Sequence, residues 1–398
     1  MKRVFFLLLI GLTLSVNSQQ KFTLSGSIFE SNGKETLIGA NIIIADLMTG
    51  TISNEYGFYS ITLAKGTYEI SVSNIGYSNL KQTITLDQNI SMDFTLTEVI
   101  ESLDEVIIES NVEALNIKSP QMSVNSLTAS SIKQIPVVFG EADVIKAITL
   151  LPGVSSGGEG AAGFNVRGGA ADQNLILLDE ATIFNSSHLF GLFSVFNPDA
   201  IKSLKLYKGG VPAKYGGRVA SVLDIYQKEG NKNEFKANGG IGLVASRLLL
   251  EGPLKKGVGS FLLGGRATYA HLFLPLFDVN NIAYFYDLNT KLSYKLNQKN
   301  SIYLSGYFGR DVFNVSNSFE NTYGNTVVNF RWNHLFNDKL FSNLSLIYSD
   351  YYYGLNLNFV GFEWNSGIQN MNIKYDFKQY VNDRYKLEYG LHSTYYRF

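Results

Sequence analysis

Residues 233–398 alternate apolar and polar side chains with a period of two, over runs of about 10 to 16 residues. In the last run, Tyr385, Leu387, Tyr389 and Leu391 share one face, while Lys386, Glu388, His392 and Thr394 share the other. In Ser301–Phe308, Ile302, Leu304 and Phe308 oppose Ser301 and Ser305. In Leu340–Ser349, Leu344, Leu346 and Tyr348 oppose Asn343, Ser345 and Ser349, with Ile347 breaking the rule. Strands of a soluble sandwich are usually shorter, about 5 to 6 residues. Eight strands are expected, near 234–250, 258–272, 283–296, 301–314, 324–336, 340–356, 365–379 and 385–398. Short turns at 296–300, 337–339 and 380–384 alternate with longer links at 273–281 and 315–323, the asymmetry of a membrane barrel. Tyr284-Phe285-Tyr286 and Tyr351-Tyr352-Tyr353 fall near strand ends, where aromatic girdles would sit.

The N-terminus sets the compartment. Lys2 and Arg3 precede an apolar run from Val4 to Val16, followed by Asn17, Ser18 and Gln19. This is the pattern of an export signal over residues 1–18, with cleavage after Ser18. As a helix the run would span about 20 Å, short of the ~30 Å hydrocarbon core. After it no stretch of 18 apolar residues occurs. A membrane role for the mature chain therefore requires a closed barrel, because lipid leaves no backbone group unsatisfied.

Composition excludes several chemistries. The chain has no cysteine, which removes disulfides, thiolate metal sites and thiol nucleophiles. Its four histidines, His188, His271, His334 and His392, are far apart in sequence, and no metal site or cofactor is expected. A net charge of -1 gives no reason to expect a nucleic-acid partner. No pair of residues reads as an acid/base couple or an activated nucleophile, so no enzyme is expected.

Residues 21–98 carry short runs of β-formers at 22–28, 37–45, 58–63, 68–72, 81–86 and 91–96. Breaks fall at Asn32-Gly33, Met48-Thr49-Gly50, Tyr56-Gly57, Lys65-Gly66 and Gly76. This spacing predicts a seven-strand β-sandwich. The segments Leu37-Ile38-Gly39-Ala40-Asn41, Thr51 to Tyr59, Gly66-Thr67-Tyr68 and Asn74-Ile75-Gly76-Tyr77 resemble a carboxypeptidase regulatory-like domain. No metal constellation accompanies them, so the reading is a periplasmic spacer or adaptor; a sugar-binding module stays open on fold alone.

Residues 112–230 mix glycine-rich turns with short apolar strands. Asp143–Leu151 reads as a short helix ended by Pro152-Gly153. Residues 158–163 match G-x-G-x-x-G, but the strand-like Phe164-Asn165-Val166 follows where a dinucleotide fingerprint needs a helix. Val166-Arg167-Gly168-Gly169, Asp172 to Asp179, Phe196 to Ile201, Tyr207-Lys208-Gly209-Gly210, Tyr215-Gly216-Gly217-Arg218 and Ser221 to Ile225 resemble the plug of TonB-dependent outer-membrane receptors, in the family's order. The resemblance implies plug–barrel ion pairs, for which Arg167 and Arg218 are candidates, although either could hold a turn within the plug. A polar seam is expected, since a hydrophobic one would be hard to reopen. Asn185, Ser186, Ser187, His188 and Phe190 form a polar-aromatic stretch suited to meeting ligand, and equally suited to packing inside the plug.

Between module and plug, residues 99–111 form a linker. Within it Leu103, Asp104, Glu105, Val106, Ile107 and Ile108 resemble a TonB box, a lone strand able to join another protein's sheet edge; the alternative is a last strand of the module. The resemblance implies TonB as energy-coupling partner, outer-membrane lipid around the barrel, an unidentified ligand, and by analogy a surface lipoprotein. It places the chain in the cell outer membrane, with the N-terminal domain in the periplasm.

The expected architecture is mainly β: the sandwich, an α+β plug, and over 233–398 the first eight or so strands of a large antiparallel transmembrane barrel. A barrel with a plugged lumen needs about 22 strands, so Tyr396-Arg397-Phe398 is expected to be an internal strand end. The expected role is TonB-driven uptake. The alternatives are an outer-membrane signal-transducing receptor and a surface adhesin or scaffold of β modules.

Overall fold

A strand with alternating side chains has one face to bury, and the N-terminal module buries two such faces against each other. The computed structural model describes residues 20–99, 123–135, 142–157, 163–242, 244–273, 281–315, 318–382 and 385–398. The module contains β1 (Lys21–Glu30), β2 (Asn41–Ile44), β3 (Thr49–Ile52), β4 (Phe58–Ala64), β5 (Gly66–Ser73), β6 (Leu80–Leu86), β7 (Ile90–Ser91) and β8 (Phe94–Leu96). One sheet runs β4-β1-β7 with β8 also on β1, and the other runs β3-β2-β5-β6. Leu24, Ile42, Tyr59, Ile70 and Phe94 are buried in its core.

Among the described residues the sandwich therefore has eight strands where the sequence predicts seven. The expected break at Met48-Thr49-Gly50 lies too late. The chain reverses over Ala45–Leu47 and a left-handed Met48 (φ 45°), so Thr49 is already paired with Ile44. The Tyr56-Gly57 turn is real and demands its glycine: Gly57 has φ 79°, and a Cβ there would lie 2.6 Å from Thr36 Cβ.

The plug is built from β9 (Val124–Thr128), α1 (Ala129–Lys133), α2 (Val144–Thr149), β10 (Val154–Ser156), β11 (Phe164–Val166), β12 (Asn174–Leu178), β13 (Ala181–Thr182), β14 (Ser187–His188), β15 (Phe193–Ser194), β16 (Ile201–Tyr207) and β17 (Ser221–Gln227). Its sheet runs β13-β12-β17-β16-β9, with β12 and β17 parallel. Asp143 caps α2 by accepting the Lys146 N–H at 2.9 Å, and α2 lays Val144 and Ile148 on Leu204, Leu223 and Ile225. After the glycines at 158–163 the chain enters β11, which pairs antiparallel with β10, so the helix a dinucleotide site requires is not there.

Nine strands follow in sequential order: β18 (Lys236–Ile241), β19 (Ala245–Lys255), β20 (Gly259–Thr268), β21 (Ile282–Asn297), β22 (Asn300–Val315), β23 (Phe319–Asn337), β24 (Leu340–Leu357), β25 (Phe362–Tyr380) and β26 (Lys386–Arg397). The expected single strand at 234–250 is two. Gly239, Gly240 and Gly242 carry no side chain to show the face change, and the chain turns where the Gly242 N–H donates to Ala245 O at 2.9 Å. From β22 to β25 the alternation holds. Leu304, Phe330, Leu346 and Ile373 are exposed on the outer face, while Ser305, Asn329, Ser345 and Asn370 are buried on the inner one.

Ile347, the exception in the pattern, has a physical cause. It lies on the inner face, and together with Tyr307 and Val327 it joins the plug's own hydrophobic core. The expectation of a wholly polar seam is thereby corrected: a narrow apolar strip crosses from plug to wall. The aromatic triplets are also divided between faces. Tyr284 and Tyr286 stack on each other at 6.4 Å, whereas Phe285 is fully buried on the inner face.

Candidate functional site: the seam between plug and wall

Three plug segments meet the wall through charged groups. The first is the two-residue turn joining β12 to β13. Leu178 pairs with Ala181, leaving Asp179 (φ 47°) and Glu180 (φ 73°) as consecutive left-handed residues. A turn of this kind favours Asn-Gly or Asp-Gly, so Glu180 is held there against its own preference. The turn is anchored within the plug, since Asp179 N–H donates to Ile225 O at 2.8 Å and Asp179 Oδ1 accepts the Gln227 N–H at 3.1 Å. Asp179 Oδ2 then lies 2.8 Å from Lys291 Nζ of β21, with both side chains almost wholly buried. Lys291 Nζ also donates to Gln227 O at 2.9 Å, and Asn329 Nδ2 of β23 donates to Asp179 O. Glu180 Oε1 accepts from Asn343 Nδ2 at 3.1 Å, and its Oε2 lies 3.7 Å from Lys374 Nζ.

The second segment holds His188. Its Nδ1 lies 2.6 Å from Asp311 Oδ2 of β22, and its Nε2 lies 3.2 Å from Asp287 Oδ2 of β21 and 3.2 Å from the Tyr307 hydroxyl. The ring stacks on Phe285 with centroids 4.1 Å apart. Arg266 of β20 completes the group, placing Nε 2.9 Å from Asp287 Oδ2 and donating from Nη2 to Ser194 O at 2.9 Å. Burial alone would lower the His188 pKa, but Asp311 and Asp287 outweigh it, and the value is raised above the ordinary 6.5. The third segment is Asp199, paired with Arg247 of β19 at 2.7 Å and with Lys133 of α1 at 2.5 Å. Burial would raise its carboxyl, yet these two cations hold it below the usual carboxylate range.

The cross-wall charges therefore come from residues other than the two expected arginines. Arg167, left-handed at φ 50°, donates to Ser123 Oγ at 2.9 Å inside the plug, and Arg218, exposed, donates to Gly217 O at 2.8 Å. Neither is brought to an acid on the described strands. Gly168 extends the Arg167 turn at φ 83°, and the Gly169 N–H closes it on Val166 O at 2.9 Å. Lys208 is buried and donates to Pro152 O at 2.7 Å, while a Cβ on Gly209 would come within 2.9 Å of Arg167 Nη1. Gly210 and Gly217 are left-handed, and Gly216 is exposed beside Tyr215.

Tyr215 donates to Asp224 Oδ2 at 2.6 Å, and the Tyr226 hydroxyl shares the same oxygen. Burial pushes the Asp224 carboxyl up, against the pull of Lys214 and these two hydroxyls. Of the stretch expected to meet ligand, Ser186, Ser187 and His188 are buried and Asn185 is half-buried, its carbonyl accepting from Asn325 Nδ2 at 2.8 Å. Only Phe190 is exposed, edge-on to Phe313 with centroids 5.3 Å apart and 5.8 Å from Tyr323. Leu103, Asp104, Glu105, Val106, Ile107 and Ile108 lie outside the described residues. Parity in the sequence places Asp287, Lys291 and Asp311 on the inner face; nothing in it names their partners.

A TonB-dependent receptor plug domain matches residues 116–222, and a CarboxypepD_reg-like domain matches residues 24–108. The chain is similar to the TonB-dependent receptors. It is 28% identical to the TonB-dependent receptor SusC of Bacteroides thetaiotaomicron over 251 residues, 58% of this chain and 24% of that protein. It is 26% identical to a TonB-dependent receptor of Formosa agariphila over 235 residues, 57% of this chain and 22% of that protein. The chain thus spans about a quarter of the length of these relatives.

Among solved structures, the siderophore receptor PirA of Acinetobacter baumannii matches with a TM-score of 0.51 at 16% identity, covering 70% of this chain and 48% of that one. The ferric enterobactin receptor PfeA of Pseudomonas aeruginosa matches with a TM-score of 0.52 at 14% identity, covering 69% and 49%. These two likenesses show the fold alone. TonB-dependent receptors are outer-membrane β-barrel proteins with a periplasmic N-terminal region, and they are receptors rather than enzymes.

Proposed function

We propose that this receptor takes up a ligand across the outer membrane against its gradient, through rearrangement of the plug driven by TonB. The observation that carries the reading is the seam: a folded plug is held to the inner face of the strands by buried ion pairs at Asp179, His188 and Asp199, beside a narrow apolar strip. Such pairs add little net stability when made, yet give the seam one defined register. The strained Asp179-Glu180 turn and the left-handed Leu189 and Phe190 store conformational energy where plug meets wall. A pull on the plug would find these contacts loaded rather than relaxed.

In this reading residues 103–108 are the handle. An extended segment of that composition can add a strand to an open sheet edge of TonB. Exposed Phe190, beside Phe313 and Tyr323, is the ligand-side contact of the same plug segment that carries His188. The module at 21–98 serves as a periplasmic spacer or adaptor, and a surface lipoprotein is a proposed partner. The cargo is left unassigned.

Capture of the receptor by the immobilised periplasmic domain of the host's TonB tests the coupling without any cargo. The intact receptor is expected to be retained, and deletion of residues 103–108 is expected to abolish retention. Equal retention of both would remove the handle from the mechanism.

A further inference from the structure

His188 presents both ring nitrogens to carboxylates, Nδ1 to Asp311 and Nε2 to Asp287. A neutral imidazole has one N–H, so one nitrogen lone pair would then face a carboxylate oxygen. The two carboxylates favour the doubly protonated ring over the neutral one, which would keep its proton on Nδ1 and accept the Tyr307 hydroxyl at Nε2. The charge count agrees: His188 and Arg266 supply two cations, and Asp287 and Asp311 supply two anions, in a group whose members are all nearly fully buried. The Tyr307 hydroxyl on β22 also lies 3.2 Å from the ring, and two residues further along the Tyr323 hydroxyl on β23 accepts the Phe190 N–H at 3.0 Å. On the plug side Asp143 accepts the Ser194 N–H at 2.6 Å, one peptide from the carbonyl that Arg266 holds.

The main chain is tied to the same carboxylates. Leu189 N–H donates to Asp311 Oδ1 at 2.8 Å, next to the His188 contact on Oδ2. Leu189 (φ 46°) and Phe190 (φ 55°) are both left-handed, a conformation that side-chain-bearing residues leave when released. We propose that the segment from Ser187 to Phe190 is a proton-held latch, fastening the plug to the wall while His188 carries two ring protons and letting go when it loses one.

Because the imidazole belongs to the plug and both carboxylates to the wall, proton occupancy is read directly as plug–wall affinity. Losing the proton leaves two aspartates against one arginine in a buried site, and the unbalanced charge favours separation. The sign follows from the raised pKa of His188. The latch is fully fastened below the unfolded histidine value of about 6.5 and loosens as pH rises through the higher value of the docked ring. This adds regulation to the transport reading, and its test needs neither TonB nor cargo.

The test uses the intact receptor in detergent micelles. Histidine-selective NMR follows the ring titrations, and hydrogen exchange, corrected for intrinsic rate, follows the segment Ser186–Ser194 between about pH 6 and about pH 9. The expected results are a His188 midpoint above about 6.5, lowered in Asp311→Asn, and protection of the segment falling at least about tenfold across the same range. His188→Gln is expected to show low protection at both ends. A midpoint at or below the ordinary histidine value, or protection that does not follow the midpoint, overturns the latch. If His188→Gln does not fold, the wild-type and Asp311→Asn titrations decide between these outcomes. Failure of the TonB capture experiment with a titrating latch would count against energy coupling alone.

Discussion

At the scale of single residues, Asp179 shows how a signature acid serves two elements at once. Its N–H and Oδ1 bind the plug, and its Oδ2 reaches Lys291 across the seam. Asp179→Asn keeps the shape and tolerates the left-handed turn, so any loss reports the charge. Removing one partner of a buried pair leaves the other uncompensated, at a cost of about 3–5 kcal/mol. Asp179→Asn is accordingly expected to weaken plug docking by that amount, read as a lower urea midpoint for proteolytic release of the plug. Lys291→Met should cost about as much, and the double variant markedly less than the sum, because neither charge is then stranded. Additive losses in the double variant would show that the pair is not coupled. The sequence marked Asp179 through its place in a recognisable string, but it gave no sign of Lys291, since a lumen lysine on an alternating strand looks the same whether or not an acid faces it.

Among elements, what was legible depended on whether alternation was the only influence on a strand. β22, β24 and β26 appear close to their expected places, because each separates an outer apolar face from an inner polar one. Three glycines blur the face change between β18 and β19, so the sequence pattern runs them together. The start of β3 is hidden in the sequence because Gly50 is a weak strand former and the reversal ends immediately before the strand, at Met48. Ile347 was the most informative departure, since an apolar side chain on a polar face marks where another element presses against the wall. That gives a prediction on neighbouring residues. Ile347→Ala, 5% exposed and packed with Tyr307, Val327 and the plug core, should cost about 2–5 kcal/mol in plug retention. Leu346→Ala, 46% exposed on the outer face, should leave plug retention within about 0.5 kcal/mol of the parent. Plug-release midpoints that move equally for both variants would refute an apolar strip confined to the inner face.

For the whole molecule, the decisive quantity is the polarity of the outer face as a function of height. Among the described residues no helix is long and apolar enough to cross a membrane. The outer faces of β22 to β25 carry an apolar band, with Leu304, Val328, Phe330, Leu346 and Ile373 exposed. Toward the short turns that band ends in a chain of rings: Trp332 and His334 at 5.4 Å, His334 and Phe336 at 4.4 Å, Phe336 and Phe377 at 6.3 Å, and Phe377 and Tyr389 at 5.3 Å. Rings of this amphipathic type gather at the boundary between hydrocarbon and headgroups. If the band is the membrane-spanning zone, a charge should cost more at its middle than at its edge. Leu346 pairs across the sheet with Phe330, well inside the band, whereas Phe336 lies beside the turn that ends β23. Leu346→Lys is therefore expected to destabilise the barrel folded in a lipid bilayer by about 2–4 kcal/mol, and Phe336→Lys by only about 0–1 kcal/mol. Urea-driven unfolding from vesicles measures both, and in detergent alone the difference should shrink, because a micelle adapts around a charge more readily than a bilayer does. Equal penalties at the two heights, or a larger one at Phe336, would mean that lipid does not surround these strands at the level the ring belt marks.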